Sequence, residues 1–475
     1  KLAEIYENYN IEQQESVHQI LREQFQMNDA LYILSFLAKY LNLDAFWEDI
    51  IWHVCRENKD CFLGSMVEAQ LEIYGTAPYK QKRMLHRNNV RNFMQTLNLP
   101  DDRIAEQERN KKRIVIVTEQ LLSIMHAPTL ITLEFAYILQ EKMNYEVCII
   151  TCPLDYHLPF DLWVDPRYYY GGFEGVRDIP YKGVKIRNIG CSMEDGSLER
   201  CSRMLHMIAA WKPWLVLELG VTNPLADLCR EFTTTVAMAM TTECPVSEAD
   251  ILIRYVPGTG AYEEACKREL LPYQKQIFMQ EKLPVIAQEA EKECVPDELG
   301  LPEGKFFVAV VGNRLDLEID EAFLNIMKQI MDAAENVDFA VIGDAEKLQE
   351  KLAGTSYGKR IHFLGYCMDL PGTYRALHLY LNPRRLGGGW SSAMALMAGL
   401  PVVTLPACDV AYNVGGEFTV TTEEEMVDAV IRYASDDVFY AQKKQIAIEK
   451  GRDGGEQKML EYVTSLFTRI QENVE

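Results

Sequence analysis

Residues 380–405 read YLNPRRLGGGWSSAMALMAGLPVVTL. A short apolar strand, Leu379 to Leu381, gives way to two arginines, three glycines, a Trp and two serines. These run into a small-residue helical pattern that stops at Gly399-Leu400-Pro401, and a β-branched run follows. A helix N-terminus exposes unpaired N–H groups and the positive end of the helix dipole, and glycines let an anion approach them. The stretch therefore reads as a phosphate site. It reads equally as a tight strand-to-helix turn in which the serines only cap. The surroundings decide between the two.

Immediately upstream, strand and helix patterns alternate. KFFVAVVGNRL, DFAVIGD, KRIHFLGY, HLYLNP and PVVTL are short apolar runs separated by helical periodicity. Apolar runs without polar alternation are strands buried on both faces, the mark of a parallel sheet covered by helices. Residues 301–452 thus form a Rossmann-like domain, and the Gly387 loop follows one of its strands. Ligands of such sheets bind outside the carboxyl ends of the strands, which favours the phosphate reading.

The same alternation occurs earlier. KKRIVIVTEQ, YEVCIITC and the runs Trp214–Leu219, Thr235–Met240 and Asp250–Tyr255 are strands of a second Rossmann-like domain, residues 109–256. A segment from Pro153 to about Val184, including WVDPRYYYGGF, reads as irregular. Residues 257–300 read as an interdomain connection, 453–475 as a closing helix, and 1–108 as an all-helical N-terminal domain suited to packing or partner recognition. The fold class is α/β, two Rossmann-like domains facing across a cleft, preceded by an all-α domain.

The net charge of −22 opposes binding to nucleic acid or an anionic membrane. No apolar run is long enough to span a bilayer, and KLAEIYENYNIEQQES lacks the features of a secretory signal, so the expected location is cytoplasmic. Twelve scattered cysteines without a CxxC pair read as reduced, mostly buried thiols, and eight histidines show no zinc-ligand spacing. No DxD pair at a strand end argues for Mg²⁺. Neither metal nor cofactor is expected.

The candidate chemistry sits in loops after strands. In VGNRL, Gly312 permits close backbone approach, while Asn313 and Arg314 reach a phosphate or ribose; Arg314 also reads as a plain surface arginine. In FLGY, Tyr366 offers a ring to a base, or is one packed Tyr in a turn. In NPRRLGGGWSS, the amides around Gly388, Gly389 and Trp390, the Ser391 and Ser392 hydroxyls, and Arg384 or Arg385 together hold a diphosphate. Such a set stabilises a diphosphate leaving group without a metal. Asp409 either touches a sugar hydroxyl or caps the following helix. In the first Rossmann-like domain, His126 in TEQLLSIMHAPTL is the base or positioning group for an acceptor, or a structural His. Glu119 is a weaker candidate. His157, Tyr169 and Tyr170 are candidate acceptor contacts.

These residues resemble the nucleotide-sugar glycosyltransferases with two Rossmann domains, the GT-B type. YLNPRRLGGGWSSAMALMAGLPVVTL looks like bacterial members that carry a GGG-x-S loop, a small-residue helix and G-x-P-V-V. It is also similar to the phosphate-binding helix of the O-GlcNAc transferase family, with Trp390, Ser391 and Ser392 at the His-Thr-Thr positions. MHAPT is similar to that family's His-Pro-Thr segment, with Ala127 inserted. Two departures stand out. The position matching the family's ribose-holding aspartate is Met394, and the glutamate pair typical of many retaining enzymes would fall on Leu386 and Met394 and is absent. The resemblance implies a cytoplasmic, inverting, metal-independent transferase that moves a hexosyl or N-acetylhexosaminyl group from a UDP-sugar to a protein or glycan. A homo-oligomer or protein partner could engage the helical N-terminal domain. The competing expectations are a catalytically inactive GT-B-fold partner or chaperone subunit of a protein glycosylation complex and, behind it, a nucleotide-sugar epimerase.

Overall fold

The computed structural model describes residues 5–6, 8–23, 59, 61, 64–65, 67–68, 78–100, 104–122, 126–154, 174–192, 194–220, 222–240, 243–254, 260–279, 283–286, 292–385, 387–406, 408–452 and 454–474. The chain divides into two compact units, Lys1–Gln280 with Val463–Glu475, and Glu281–Tyr462.

The first unit opens with helices α1 (Ile11–Glu23) and α2 (Tyr79–Thr96). The rest of the expected helical domain, up to residue 103, lies largely outside the described residues. An eight-stranded sheet follows, built from β1 (Asn110–Thr118), β2 (Glu146–Thr151), β3 (Gly175–Tyr181), β4 (Val184–Gly190), β5 (Pro213–Leu219), β6 (Thr234–Met238), β7 (Ile251–Arg254) and β8 (Lys275–Phe278). Its order is β3-β4-β2-β1-β5-β6-β7-β8, parallel except for the antiparallel β3–β4 hairpin at one edge. Helices α3 (Ala127–Tyr137), α4 (Ser197–Trp211), α5 (Pro224–Leu228) and α6 (Gly260–Arg268) connect the strands. Two expectations need correction. The supposedly irregular segment ends in β3, and α6 and β8 extend the first sheet into the supposed connection, because β8 pairs in parallel with β7.

The second unit is a five-stranded, all-parallel sheet in the order β11-β10-β9-β12-β13. The strands are β9 (Phe306–Gly312), β10 (Val337–Gly343), β11 (Ile361–Gly365), β12 (Leu379–Leu381) and β13 (Val402–Val403). Around it lie α7 (Leu315–Glu318), α8 (Glu321–Ala333), α9 (Glu346–Leu352), α10 (Leu370–Tyr374), α11 (Gly389–Met397), α12 (Asp409–Val414), α13 (Glu423–Ser435) and α14 (Asp437–Gly451). The closing helix α15 (Glu456–Val474) starts in this unit and ends in the first.

Both faces of the second sheet are covered, and the pleat shows how. Val308, Val310, Phe339 and Val341 pack with Phe323, Met327 and Ile330 of α8 and with Met426 and Val430 of α13. Their sequence neighbours Phe307, Ala309, Ala340 and Ile342 pack with Tyr374 of α10, Leu396 of α11 and Val410 of α12. Successive strand residues point to opposite faces, so the unbroken apolar run FVAVV serves two cores at once. Among the described residues the cysteines are free thiols, all buried except the partly exposed Cys294 and Cys367, and no helix is long and apolar enough to cross a membrane.

Candidate functional site

In the second unit the strand order reverses between β9 and β12: β10 and β11 continue on one side of β9, β12 and β13 on the other. This switch point opens a crevice at the carboxyl ends of the two central strands. Gly312 ends β9 there, and the Gly387 loop follows β12.

The loop ends in α11, whose N-cap is Gly388 at φ 94° and ψ 0°. A residue with a Cβ is disfavoured in that left-handed conformation, so glycine is the fitting choice. The first helical hydrogen bond runs from Ser392 N–H to the Gly388 carbonyl at 3.0 Å. The N–H groups of Gly389, Trp390 and Ser391 take no acceptor among the described residues. Three amides and the positive helix end thus remain available to an anion.

What fixes this loop is Arg385. Its side chain is only 6% exposed. Nε donates to Asn382 Oδ1 at 2.9 Å, Nη2 to the Val311 carbonyl at 2.6 Å and to the Tyr380 hydroxyl at 2.9 Å, and Nη1 to Glu318 Oε2. These bonds occupy all but one of the five guanidinium N–H groups. The Tyr380 hydroxyl lies 3.0 Å from Ser391 Oγ, which itself donates to the Gly388 carbonyl at 3.0 Å. Since the Ser391 proton is directed at Gly388, Tyr380 is the donor between the two hydroxyls. An unbroken chain of donors therefore leads from Arg385 to the helix cap. Tyr374 adds a bond to the Ser391 carbonyl at 3.0 Å, and Asn413 donates to the Gly389 carbonyl at 2.7 Å.

Several expectations are corrected by this packing. Arg385 is a buried brace, not a free phosphate ligand. Ser392 is fully buried, and its hydroxyl donates to the Gly389 carbonyl at 2.9 Å; its place one residue past Ser391 turns it into the core. The exposed cations are Arg384, 76% exposed and 3.2 Å from Glu423, and Arg314, 54% exposed and 3.3 Å from Glu318. Asn313 is exposed beside Arg314. Asp409 is not a helix cap: Cys408 holds that position, its Sγ accepting from Ala411 N–H at 3.4 Å. Instead Asp409 abuts the start of α11, so close that a Cβ on Gly389 would stand 3.0 Å from Asp409 Cβ. Tyr366 follows Gly365 at the end of β11 and is 56% exposed. Met394 is buried in the core and unavailable to a ribose. Leu386, His157, Tyr169 and Tyr170 lie outside the described residues. Glu318, Tyr380, Asn382 and Asn413 were missed by sequence reasoning. Tyr380 and Asn382 shortly precede the arginines, a proximity that marks them as partners, whereas Glu318 comes from the end of α7, far away in sequence.

In the first unit, His126 occupies the N-cap position of α3, with Pro128 in the first turn. Its Nδ1 lies 2.9 Å from Thr129 Oγ1, which also accepts from Leu122 N–H at 2.9 Å. Burial lowers its pKa from 6.5 to about 4. The imidazole is therefore neutral near pH 7, able to orient a hydroxyl but a weak proton acceptor. Glu119 is buried at the end of β1.

With this geometry described, comparison with known proteins is informative. Residues 307–436 match the family described as Glycosyl transferases group 1. No curated protein sequence matches the chain. Among solved structures, a variant of the Thermobaculum terrenum O-GlcNAc transferase has a TM-score of 0.60 at 16% identity, over 95% of this chain and 86% of that one. The pneumococcal O-GlcNAc transferase GtfA, in complex with UDP and GlcNAc, has a TM-score of 0.51 at 10% identity, over 76% of this chain and all (100%) of that one. Anabaena HepE, in complex with UDP and glucose, has a TM-score of 0.51 at 12% identity, over 76% and 100%. At such identities the likeness is one of fold. Both units are those of the GT-B fold, and the second carries the glycosyltransferase group 1 match.

Proposed function

We propose that this protein is a glycosyltransferase that moves a sugar from a UDP-sugar to a protein or glycan acceptor, with inversion and without a metal. The observation that carries the reading is the cap of α11: three unpartnered amides at a sheet switch point, held by a buried arginine, within the segment that matches the glycosyltransferase group 1 family.

In this reading the donor diphosphate rests on the N–H groups of Gly389, Trp390 and Ser391. As the bond from the anomeric carbon to the diphosphate oxygen breaks, negative charge collects on that oxygen. Fixed amide dipoles stabilise it without reorganising. A partly buried helix end contributes only about 2 kcal/mol at most, so Arg314 and Arg384, the exposed cations of the neighbouring loops, supply the remaining attraction. Tyr366 stacks on the base, and Asp409 accepts from a sugar hydroxyl. The apolar Met394, where a retaining enzyme would carry a carboxylate, favours direct displacement by the acceptor. His126, neutral at working pH, orients that acceptor. The UDP complexes of GtfA and HepE support a uridine donor by analogy of fold.

Calorimetric titration of UDP, GDP and UDP-sugars without added metal, on the native chain and on Gly388→Ala, tests the proposal. UDP binding that the substitution abolishes is the expected result. Absence of binding by every nucleotide would overturn it and leave the catalytically silent partner as the better reading.

A further inference from the structure

The first unit has its own switch point, between β1 and β5. A cavity of about 170 Å³ lies there, lined by Thr118 at the end of β1, Gly220 just beyond β5, Met238 of β6, and Cys244, Pro245 and Val246 of the loop that leaves β6. The proposed donor and acceptor contacts use no residue of that loop. Cys244 is buried with a second thiol, Cys266 of α6, in a small cluster that Tyr79 of α2 completes. The helix explains the pairing. Cys266 stands four residues after Tyr262, and side chains four apart share one helix face. The Tyr262 hydroxyl accepts from Cys244 N–H at 3.1 Å, which brings the loop to that face. Tyr79 donates to the Pro245 carbonyl at 2.8 Å and fixes the next residue of the loop.

A cation stands near the pair. Arg254 ends β7 and is buried; its Cζ lies 5.6 Å from the ring of Tyr262 and 5.5 Å from that of Phe278. Among the described residues neither its Nη1 nor its Nη2 has a hydrogen-bond partner. Aromatic faces offset only part of the cost of burying a guanidinium. A thiolate at Cys244 supplies the missing negative charge. The surroundings favour that form: the Cys244 thiol is lowered from 9.0 to about 7, first by the thiol of Cys266, against burial, and further by Tyr79, Arg254 and Arg83. Cys266, beside that negative sulfur, is raised and keeps its proton. One sulfur is thus prepared as a nucleophile and its neighbour as a thiol in reserve.

We infer that Cys244 is a site of reversible oxidation by a small hydroperoxide, with Cys266 as the resolving thiol. The Cys244 sulfur attacks one oxygen of hydrogen peroxide, the O–O bond breaks, and the departing hydroxide takes a proton and leaves as water. A sulfenic acid remains on Cys244. The Cys266 sulfur then attacks the Cys244 sulfur, the S–O bond breaks, and the hydroxyl leaves with the Cys266 proton as a second water. Two electrons pass from the two thiols to one peroxide, and one disulfide forms. A cavity of roughly 150 Å³ holds a molecule the size of benzene, so the one that Cys244 helps to line fits hydrogen peroxide and is too small for glutathione disulfide. The new bond ties the cavity loop to α6. This inference concerns the first unit alone and does not depend on the donor site in the second.

The full chain, reduced and then freed of reductant, is exposed to hydrogen peroxide, alkylated, digested and read by mass spectrometry. A cross-linked Cys244–Cys266 peptide pair that dithiothreitol releases is the expected product. Cys244 is expected to oxidise about tenfold faster than Cys294 and Cys367, which are more exposed but whose thiols burial raises. This comparison is made within the native chain and needs no variant. Cys266→Ser is expected to stop at a sulfenic acid on Cys244 that dimedone traps, and Cys244→Ser to leave Cys266 reduced, with urea midpoints showing that both variants keep the fold. Cys294 or Cys367 oxidising as fast as Cys244, or oxidation of native Cys244 without the cross-link, would overturn the inference. Glutathione disulfide is expected to leave the pair reduced over the same interval; cross-linking by it at the peroxide rate would overturn the assignment to a small hydroperoxide.

Discussion

Replacing Arg385 by alanine separates a brace from a ligand contact. The guanidinium is buried and donates to Glu318, Asn382, Tyr380 and the Val311 carbonyl. Removing one member of a buried ion pair costs about 3–5 kcal/mol, because the partner is left uncompensated. Here Glu318 keeps Arg314 at 3.3 Å and its own side chain is 11% exposed, which places the expected cost near the lower end, about 3 kcal/mol. With a urea dependence of about 2 kcal/mol per molar, the second unit should unfold roughly 1.5 M earlier. Trp390 is the sole tryptophan of residues 281–462, so the fluorescence difference between the chain and its Trp390→Phe variant follows that unit. Arg314→Ala, which removes an exposed partner, should move the midpoint by no more than about 0.5 kcal/mol equivalent. Arg385→Lys should recover only part of the loss, since an ammonium cannot span four acceptors. An Arg385→Ala chain that unfolds at the native urea concentration yet no longer binds UDP would refute the reasoning and make Arg385 a ligand contact.

Other expectations follow from the same geometry. Gly388→Ala should lose about 1–2 kcal/mol to the left-handed backbone alone, and more because its Cβ would stand 2.7 Å from Arg385 Nη2; urea unfolding and UDP titration both read this. Ser392→Ala should cost about 1 kcal/mol of stability while leaving UDP affinity within about twofold, since the hydroxyl is spent inside α11. Tyr366→Ala should leave stability unchanged and weaken UDP by about 1 kcal/mol or more if the ring stacks on the base; equal affinity would remove Tyr366 from the site. The His126 imidazole should titrate near pH 4 instead of 6.5 in a heteronuclear NMR titration. Between those two values the folded chain holds fewer protons than the unfolded one. Its contribution to stability is therefore whole above pH 6.5 and is lost as the pH falls toward 4; an ordinary titration near 6.5 would contradict the burial argument.

The sheet of the second unit was legible because four of its five strands are apolar runs buried on both faces, which sequence periodicity registers directly, while the partly exposed edge strand β11 still carries the apolar residues Ile361, Phe363 and Leu364. The glycine-rich turn into α11 was legible because its cap, Gly388, takes a left-handed conformation that glycine adopts without steric cost. The hairpin of β3 and β4 was partly missed: β3, GVRDIPY, is mostly exposed at the sheet edge, so no apolar signal marks it. β8 escaped for a related reason, being four residues with a single buried one. At the candidate site, sequence pointed to these loops but not to the directions of their side chains. Two adjacent arginines look alike in sequence, yet one step along the backbone sends Arg384 to solvent and Arg385 into the crevice floor. Adjacent serines divide in the same way. The carboxylate that decides this, Glu318, sits 67 residues away, and nothing local announces it.

The division of the chain also bears on its synthesis. Residues 281–462 form one uninterrupted unit, while the first unit needs Val463–Glu475 as well as Lys1–Gln280. Those last residues are no ornament: Leu466, Phe467 and Ile470 are fully buried, the Phe467 ring lies 6.1 Å from that of Tyr145, and Gln471 donates to the Tyr145 hydroxyl at 2.9 Å. On a ribosome adding roughly 5–20 residues per second, the unit begun second has its whole sequence available first. The unit begun first must wait, with one apolar flank uncovered, until residues 463–475 have also left the exit tunnel. Nascent chains that have exposed residues up to 462 but not those beyond should thus hold a finished second unit with an unfinished first one, a natural substrate for chaperones.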